Sequence, residues 1–302
     1  MANQTIPPQA SGAAPLLAAV EAGGTKFLCA VGHSYDQILR QTEIPTTSPE
    51  ETLGRVNGWF ADACAEFGAM TAAGIGSFGP VQLRRSRPDW GHILTTPKPG
   101  WSHTDIAGSI GRALQCPVGI DTDVNAAAIA ESRLGAGQGT HSLAYITVGT
   151  GIGVGLVVGD QPVHGLAHPE AGHIHPRRHP DDSFPGLCPA HGDCLEGLVG
   201  GAALLARTDG KLGGMSGDDP LWGFVADYLA QLCANLVLIC SPEHIVIGGG
   251  VMRQPALLPK IRTRLAVWLN DYAPTPVITA PGLAPASGLI GAFCLAAEAA
   301  RS

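Results

Sequence analysis

Apolar positions come along this chain in two rhythms. Short apolar runs bent at glycine alternate with stretches in which apolar residues return every three or four positions. Residues 16–31 predict strand, turn, strand, with the turn at Gly23, Gly24, Thr25 and Lys26. Residues 48–68 place Leu53, Val56, Trp59, Phe60, Cys64 and Phe67 at helical spacing. Residues 73–78 predict a short buried strand closed by SFGP, and 84–101 a Pro-, Trp- and Gly-rich loop. A helix over 104–114, capped by Ser102, a strand over 117–120 and an Ala-rich helix over 124–134 follow.

The opening pattern then returns. SLAYITVGTGIGVGLVVGDQPV is again strand, glycine turn, strand, with a further turn at Gly159-Asp160. Residues 164–194 form a loop rich in His, Pro and Cys. Helices are predicted over 197–206, 220–240, 257–269 and 287–300, and strands over 244–247 and 277–280. Two glycine-bent strand pairs, each followed by helices and a further strand, predict a duplicated α/β fold.

The totals narrow this picture. The chain has 302 residues, 45% of them hydrophobic, enough for a large core or for two domains sharing a cleft. Its net charge is −7 and its longest basic run is Arg84-Arg85, which argues against a nucleic-acid partner. No run of about 18 apolar residues predicts a membrane span. Residues 1–14 lack the basic and apolar regions of a signal peptide and read as a flexible tail. A cytoplasmic protein with reduced cysteines is expected. Cys29, Cys64, Cys116, Cys233, Cys240 and Cys294 sit in or beside apolar runs and read as core thiols.

Several stretches carry candidate chemistry. VEAGGTKF is either a tight hairpin that needs glycine for its backbone or a phosphate cradle; it has no GxxxxGK[ST] pattern. VGTGIGVG has glycine at alternate positions and leads into a strand, so it is not a dinucleotide loop. A glycine hairpin can instead present backbone N–H groups to phosphate oxygens. Asp123 reads as a general base, with an ordinary helix cap as the plain alternative; Asp121 and Asn125 crowd the same turn. Cys188, His191 and Cys194 offer three soft ligands at tight spacing, with His173, His175 and His179 upstream to supply a fourth. Four Cys/His ligands point to tetrahedral zinc.

Taken in order, EAGGTK, TTPKPGW, DTDVN, VGTGIGVG, PEAGH, CPAHGDCLEG and IGGGV resemble the ROK family of sugar kinases, within the actin-like/sugar-kinase/Hsp70 ATPase superfamily. The resemblance runs from about residue 16 to the end and is nearest to the bacterial fructokinase branch. It implies two duplicated actin-like (ribonuclease H-like) α/β domains with a cleft between them. The first would comprise residues 15–121 plus 288–302, and the second 122–287 with a zinc-binding loop at 164–196. It further implies ATP, Mg²⁺ and structural Zn²⁺, a small sugar substrate and a homodimer. Gly23, Gly24, Thr25 and Lys26 match the first phosphate hairpin. Gly149, Thr150, Gly151 and Gly153 match the second, and Gly248, Gly249 and Gly250 lie near adenosine. Asp123 matches the catalytic aspartate. Glu21 stands where most members carry an aspartate facing magnesium; its longer side chain implies contact through water. Thr122 takes a position that is often a sugar-binding asparagine. Glu170 and Glu196 match sugar-binding carboxylates. His173, Cys188, His191 and Cys194 match the zinc ligands, with His173 also beside the sugar.

The activity implied is ATP-dependent phosphorylation of D-fructose at its 6-hydroxyl, with kinases for glucose, mannose or an N-acetylhexosamine as near alternatives. CPAHGDC and PEAGH, in place of CxCGxxGC and GEIGH, favour fructose by resemblance. A sugar-responsive repressor, the remote alternative, would carry a DNA-binding module ahead of the sugar fold, whereas about 15 residues precede the first strand here.

Overall fold

A computed structural model describes residues 14–302. The expected tail, residues 1–14, lies outside the described residues except for Ala14.

Two five-stranded sheets repeat one topology. In the first, β1 (Leu17–Ala22), β2 (Lys26–Ser34), β3 (Gln37–Pro45), β4 (Ala72–Ser77) and β5 (Val118–Thr122) lie in the order β3-β2-β1-β4-β5. In the second, β6 (Ser142–Val148), β7 (Ile152–Val158), β8 (Gln161–Pro162), β9 (His244–Gly248) and β10 (Val277–Thr279) lie in the equivalent order β8-β7-β6-β9-β10. Each sheet opens on an antiparallel hairpin, β1/β2 or β6/β7, and continues in parallel through β4 or β9. The glycine turns at residues 23–25 and 149–151 therefore occupy the same place in the two halves.

Helices cover the sheets in the same duplicated sense. The first half holds α1 (Pro49–Phe67), α2 (Ile106–Leu114) and α3 (Asp123–Leu134). The second holds α4 (Leu195–Val199), α5 (Gly201–Arg207), α6 (Pro220–Cys240), α7 (Leu257–Leu269) and α8 (Ser287–Ala299). One core gathers Val20, Phe27, Phe60, Ile75 and Trp101 on the first sheet. Another gathers Ile146, Leu229, Ile247 and Leu265 on the second. The final helix of each half crosses to the other: α3 packs on β6 and β7, α8 packs on β1, β4 and β5, and α3 and α8 pack on each other.

The structure departs from or adds to the sequence expectations at four places. Strand β3 was not foreseen, because only Ile44 of its nine residues is buried; its alternation is that of an exposed edge. The cap of α2 is Asp105, whose carboxylate accepts from Gly108 N at 2.7 Å, while Ser102 Oγ accepts from Thr96 N. The helix expected over 197–206 is two helices hinged at Gly200. Helix α6 is long and apolar enough to cross a membrane by composition, with mean hydropathy 1.6, yet 67% of that window is buried inside the protein. Its Asp227 and Gln231 are hydrogen-bonded there to each other. Of the six core thiols, Cys29 and Cys233 are fully buried and the other four half-buried.

Candidate active site

The backbone passes from β5 into α3 at the junction of the two halves. Thr122 is the cap of α3, its Oγ1 accepting from Asn125 N at 3.1 Å. Asp123 is the first helical residue, so the cap reading of Asp123 is replaced: its carboxylate accepts only the neighbouring Val124 N–H, at 2.9 Å. Asp121, buried in the strand, braces the turn by accepting from Thr122 N and from Asn125 Nδ2, each at 2.8 Å. Burial pushes the Asp123 carboxyl up to about 7, and the carboxylates of Glu21 and Glu170 push the same way. The helix N-terminus favours the anion by about 1 kcal/mol at most when exposed, and here burial outweighs it.

Two cavities meet at this carboxylate. The smaller, about 470 Å³, is lined by Glu21, Asp123, Tyr145, Gly248, Gly249, Gly250 and the start of α8. The larger, about 970 Å³, is lined by Thr122, Asp123, Lys98, Gly149, Thr150, Gly151, Gly153, Glu170, His173 and Glu196. Asp123, Val124 and Thr147 belong to both walls. Gly249 must be glycine: its φ is +96°, and a Cβ would lie 2.6 Å from Val148 N.

The second hairpin is fixed from behind. Gly201 N donates to Gly149 O at 2.8 Å and Ala202 N to Thr150 O at 3.1 Å. Glu196 Oε2 accepts from Ile152 N at 2.9 Å, which ties the hairpin to α4. The first hairpin closes through Gly23 N donating to Lys26 O at 2.9 Å. Gly24, Thr25 and Lys26 are exposed and line neither cavity, and Lys26 Nζ pairs with Glu43 at 2.6 Å. Lys98, from the TTPKPGW loop, donates from Nζ to Gly24 O at 2.5 Å and joins this turn to the larger cavity.

Glu21 lies under the first turn of α8. Burial raises its pKa, against the opposing charge of Lys26 and a hydrogen bond from Leu289 N–H. Its Oε2 is buried with no hydrogen-bond partner. An orphaned carboxylate oxygen on the wall of the smaller cavity fits a hard cation such as Mg²⁺, directly or through its water shell.

The zinc-type residues converge. One ligand atom from each of His173, Cys188, His191 and Cys194 lies within 4.8 Å of every other. Cys188 Sγ is 3.7 Å from both His173 Nδ1 and His191 Nδ1, and Cys194 Sγ is 3.5 Å from His173 Nδ1. A tetrahedron with the usual Zn–S and Zn–N lengths separates S and N by about 3.6 Å, so the donor set fits Zn²⁺. His175 faces Asp193, and His179 Nδ1 accepts from Asp181 N, so neither upstream alternative joins the cluster. Glu170 O accepts from His173 N at 3.0 Å, and Leu195 N, beside Glu196, donates to Ile174 O at 2.8 Å. Backbone hydrogen bonds thus tie the segments that carry the two carboxylates to the knot.

Sequence reading missed Lys98 and His168. Lys98 lay inside a quoted motif, but nothing in TTPKPGW says that its ammonium reaches Gly24. His168 precedes PEAGH and is buried, its Nε2 accepting from Val81 N at 3.1 Å. That contact spans 87 residues and leaves no local signal.

Two sheets of one topology, two helices exchanged between them and an acid at the shared wall of two cavities define an α/β protein of the actin-like ATPase class. The chain belongs to the ROK family, whose pattern it matches over residues 17–299. It is 45% identical over 288 residues to a fructokinase of Zymomonas mobilis subsp. mobilis (strain ATCC 31821 / ZM4 / CP4), an alignment that covers 93% of this chain and 96% of that one. Among solved structures it is similar to a ROK hexokinase from Thermus thermophilus, with TM-score 0.78, 28% identity and coverage of 94% and 98%. A ROK family glucokinase from Streptomyces griseus in complex with glucose and AMPPNP is also similar, with TM-score 0.73, 28% identity and coverage of 94% and 99%.

Proposed function

We propose that this protein is an ATP-dependent fructokinase that converts D-fructose to fructose 6-phosphate. The observation that carries the reading is Asp123, a carboxylate on the wall shared by two cavities, with its proton affinity raised to about 7 by burial. Fructose is favoured over glucose because the fructokinase relative is 45% identical, whereas the hexokinase and glucokinase structures are 28% identical.

The smaller cavity takes the nucleotide, with Gly248 to Gly250 beside the adenosine, and the larger takes the sugar, with Glu170, Glu196, His173 and Thr122 facing its hydroxyls. The turn of Gly149, Thr150, Gly151 and Gly153, closed by Gly149 N donating to Gly151 O, offers the N–H groups at its tip to the phosphates from one side. The turn of Gly23, Gly24, Thr25 and Lys26, closed by Gly23 N, offers those of Gly24 and Thr25 from the other. The sugar 6-hydroxyl attacks the γ-phosphorus in line. Its oxygen gains the bond to phosphorus as the bond from phosphorus to the bridging oxygen breaks, and ADP leaves with that electron pair. Asp123 accepts the hydroxyl proton, a contribution of about 10²–10⁴ in rate. Magnesium, held near Glu21, would neutralise charge developing on the phosphates. His173, Cys188, His191 and Cys194 would hold a structural zinc that keeps Glu170 and Glu196 in place. The bodies that close on substrate are residues 15–121 with 288–302, and 122–287, each sheet counted with the exchanged helix that packs on it: α8 with the first and α3 with the second. The protein works in the cytoplasm as a homodimer, a reading supported by family kinship.

A coupled ADP-release assay over a panel of hexoses tests the activity, with the highest kcat/KM expected for fructose. Strong glucose turnover with negligible fructose turnover would overturn the substrate while leaving the kinase. No ADP release with any hexose would overturn both.

A further inference from the structure

We propose that His168 is a positioning residue for the sugar site: its imidazole ties the Glu170 carboxylate to the backbone of the first half, so the aim of Glu170 depends on where that half stands. The inference rests on Glu170 as a sugar ligand, read above.

His168 leaves the long loop that follows β8, and its side chain is 4% exposed. It crosses the cleft to the turn that follows β4. Its ring packs against Gly79, where an added Cβ would sit 3.5 Å from both Cε1 and Nε2. Val81 N donates to His168 Nε2 at 3.1 Å. A backbone amide can only donate, so this nitrogen carries no proton. The single proton of the neutral imidazole is then on Nδ1. Nδ1 lies 3.4 Å from Glu170 Oε1. Val81 is 1% exposed in the core of the first half, whereas the Glu170 side chain is 51% exposed. The ring thus connects a rigid backbone donor on one side to a half-free carboxylate on the other.

A histidine that merely fills a core would have its second nitrogen on another fixed group. Here the second partner lines the larger cavity, as His168 itself does. The 3.4 Å separation is long for an N–H···O bond. Hydrogen bonds at active sites are often long before substrate binds and tighten as the site closes. His168 and Glu170 stand on the same loop, so a small motion of the first half would act through Val81 N–H, turning the imidazole toward Glu170 and fixing the carboxylate on the sugar.

The two nitrogens can be tested apart. His168→Gln can place an amide oxygen near Nε2 and keep the Val81 contact, but offers Glu170 no donor. His168→Asn can place its amide nitrogen near Nδ1 and keep the Glu170 contact, but cannot reach Val81. These variants of the full chain are assayed for kcat, KM and melting temperature beside Glu170→Ala, His168→Ala and the His168→Ala/Glu170→Ala pair. Loss of one charge-assisted hydrogen bond corresponds to about tenfold in affinity. Glu170→Ala is expected to raise the fructose KM about tenfold or more. His168→Gln is expected to raise it about fivefold with ATP KM and melting temperature unchanged. His168→Asn should bring fructose KM back toward wild type while melting lower, because Val81 N–H loses its partner. The pair should be no worse than Glu170→Ala alone. A wild-type fructose KM in His168→Gln, or additive effects in the pair, overturns the role of His168 and leaves Glu170 as a ligand. An unchanged fructose KM in Glu170→Ala overturns the sugar-ligand reading and the inference with it.

Discussion

At Asp123, the burial that lifts the carboxyl to about 7 sets both the pH response and the stability of the protein. The base must be ionised to accept a proton, so kcat/KM for fructose should fall as pH drops below about 7, and a pH–rate profile reads that limb directly. Asp123→Asn should bind sugar and lose about 10²–10⁴ in kcat; a variant retaining more than about a tenth would show that Asp123 is not the base. The stability effect has the opposite sign to that of an aspartate whose pKa is lowered by a partner in the folded state, such as Asp182 beside Arg207. An unfolded aspartate titrates near 3.9. Between that value and about 7 the folded chain still holds the proton that the unfolded chain has released. Stability therefore falls as pH rises through this window. The melting temperature of Asp123→Asn should gain on wild type between pH 5 and pH 8, and a constant difference would show that the group does not titrate there.

The next scale is the element that carries each group. Helix α3 aims Asp123 because Thr122 caps it and Asp121 holds Asn125 across the turn. Thr122→Ala should cost about 1 kcal/mol of stability, and Thr122→Asn little, since asparagine caps as well; chemical denaturation of both variants checks this. The zinc-type loop has no regular structure beyond a 3₁₀ turn at Ala171–His173 and the short α4, so its shape depends on the Cys/His knot. Cys188→Ser should lower zinc content below about half an ion per chain and raise the KM for fructose. The KM for ATP should stay as it was, because the cavity proposed for the nucleotide is lined by other elements. Metal analysis and steady-state kinetics read the two effects separately. Unaltered sugar affinity in the zinc-free variant would remove the knot from sugar binding.

Across the whole molecule, the exchange of α3 and α8 makes the two halves one unit. The helices touch backbone to backbone: a Cβ on Gly291 of α8 would fall on the carbonyl of Ala126 in α3. In an isolated helix, replacing glycine by alanine stabilises by about 1 kcal/mol. Here Gly291→Ala should instead destabilise by roughly 1–3 kcal/mol, as overpacking does, and lower kcat because Asp123 stands on the displaced helix. A melting temperature at or above wild type would mean that the helices can part without loss.

How much of this was legible in the chain follows from range. The glycine turns at 23–26 and 149–153, the helical rhythm of 48–68 and the Cys/His spacing at 188–194 are local patterns, dictated by backbone geometry and by ligand chemistry, and each element stands where the sequence puts it. Strand β3 was not legible, since an exposed edge needs no apolar alternation. Neither was the capping role of Thr122, because Thr122, Asp123 and Asn125 are all capable of it and only the backbone path chooses. The fourth member of the Cys/His knot was one of three histidines until the loop brought His173 to Cys194. The approach of Lys98 to Gly24 and of His168 to Val81 and Glu170 was decided by tertiary structure alone. Those contacts join residues far apart in the chain, across a cleft formed only once both sheets have folded. Local sequence determines which chemistry is present and on what kind of element; which groups meet depends on packing between elements that no local pattern encodes.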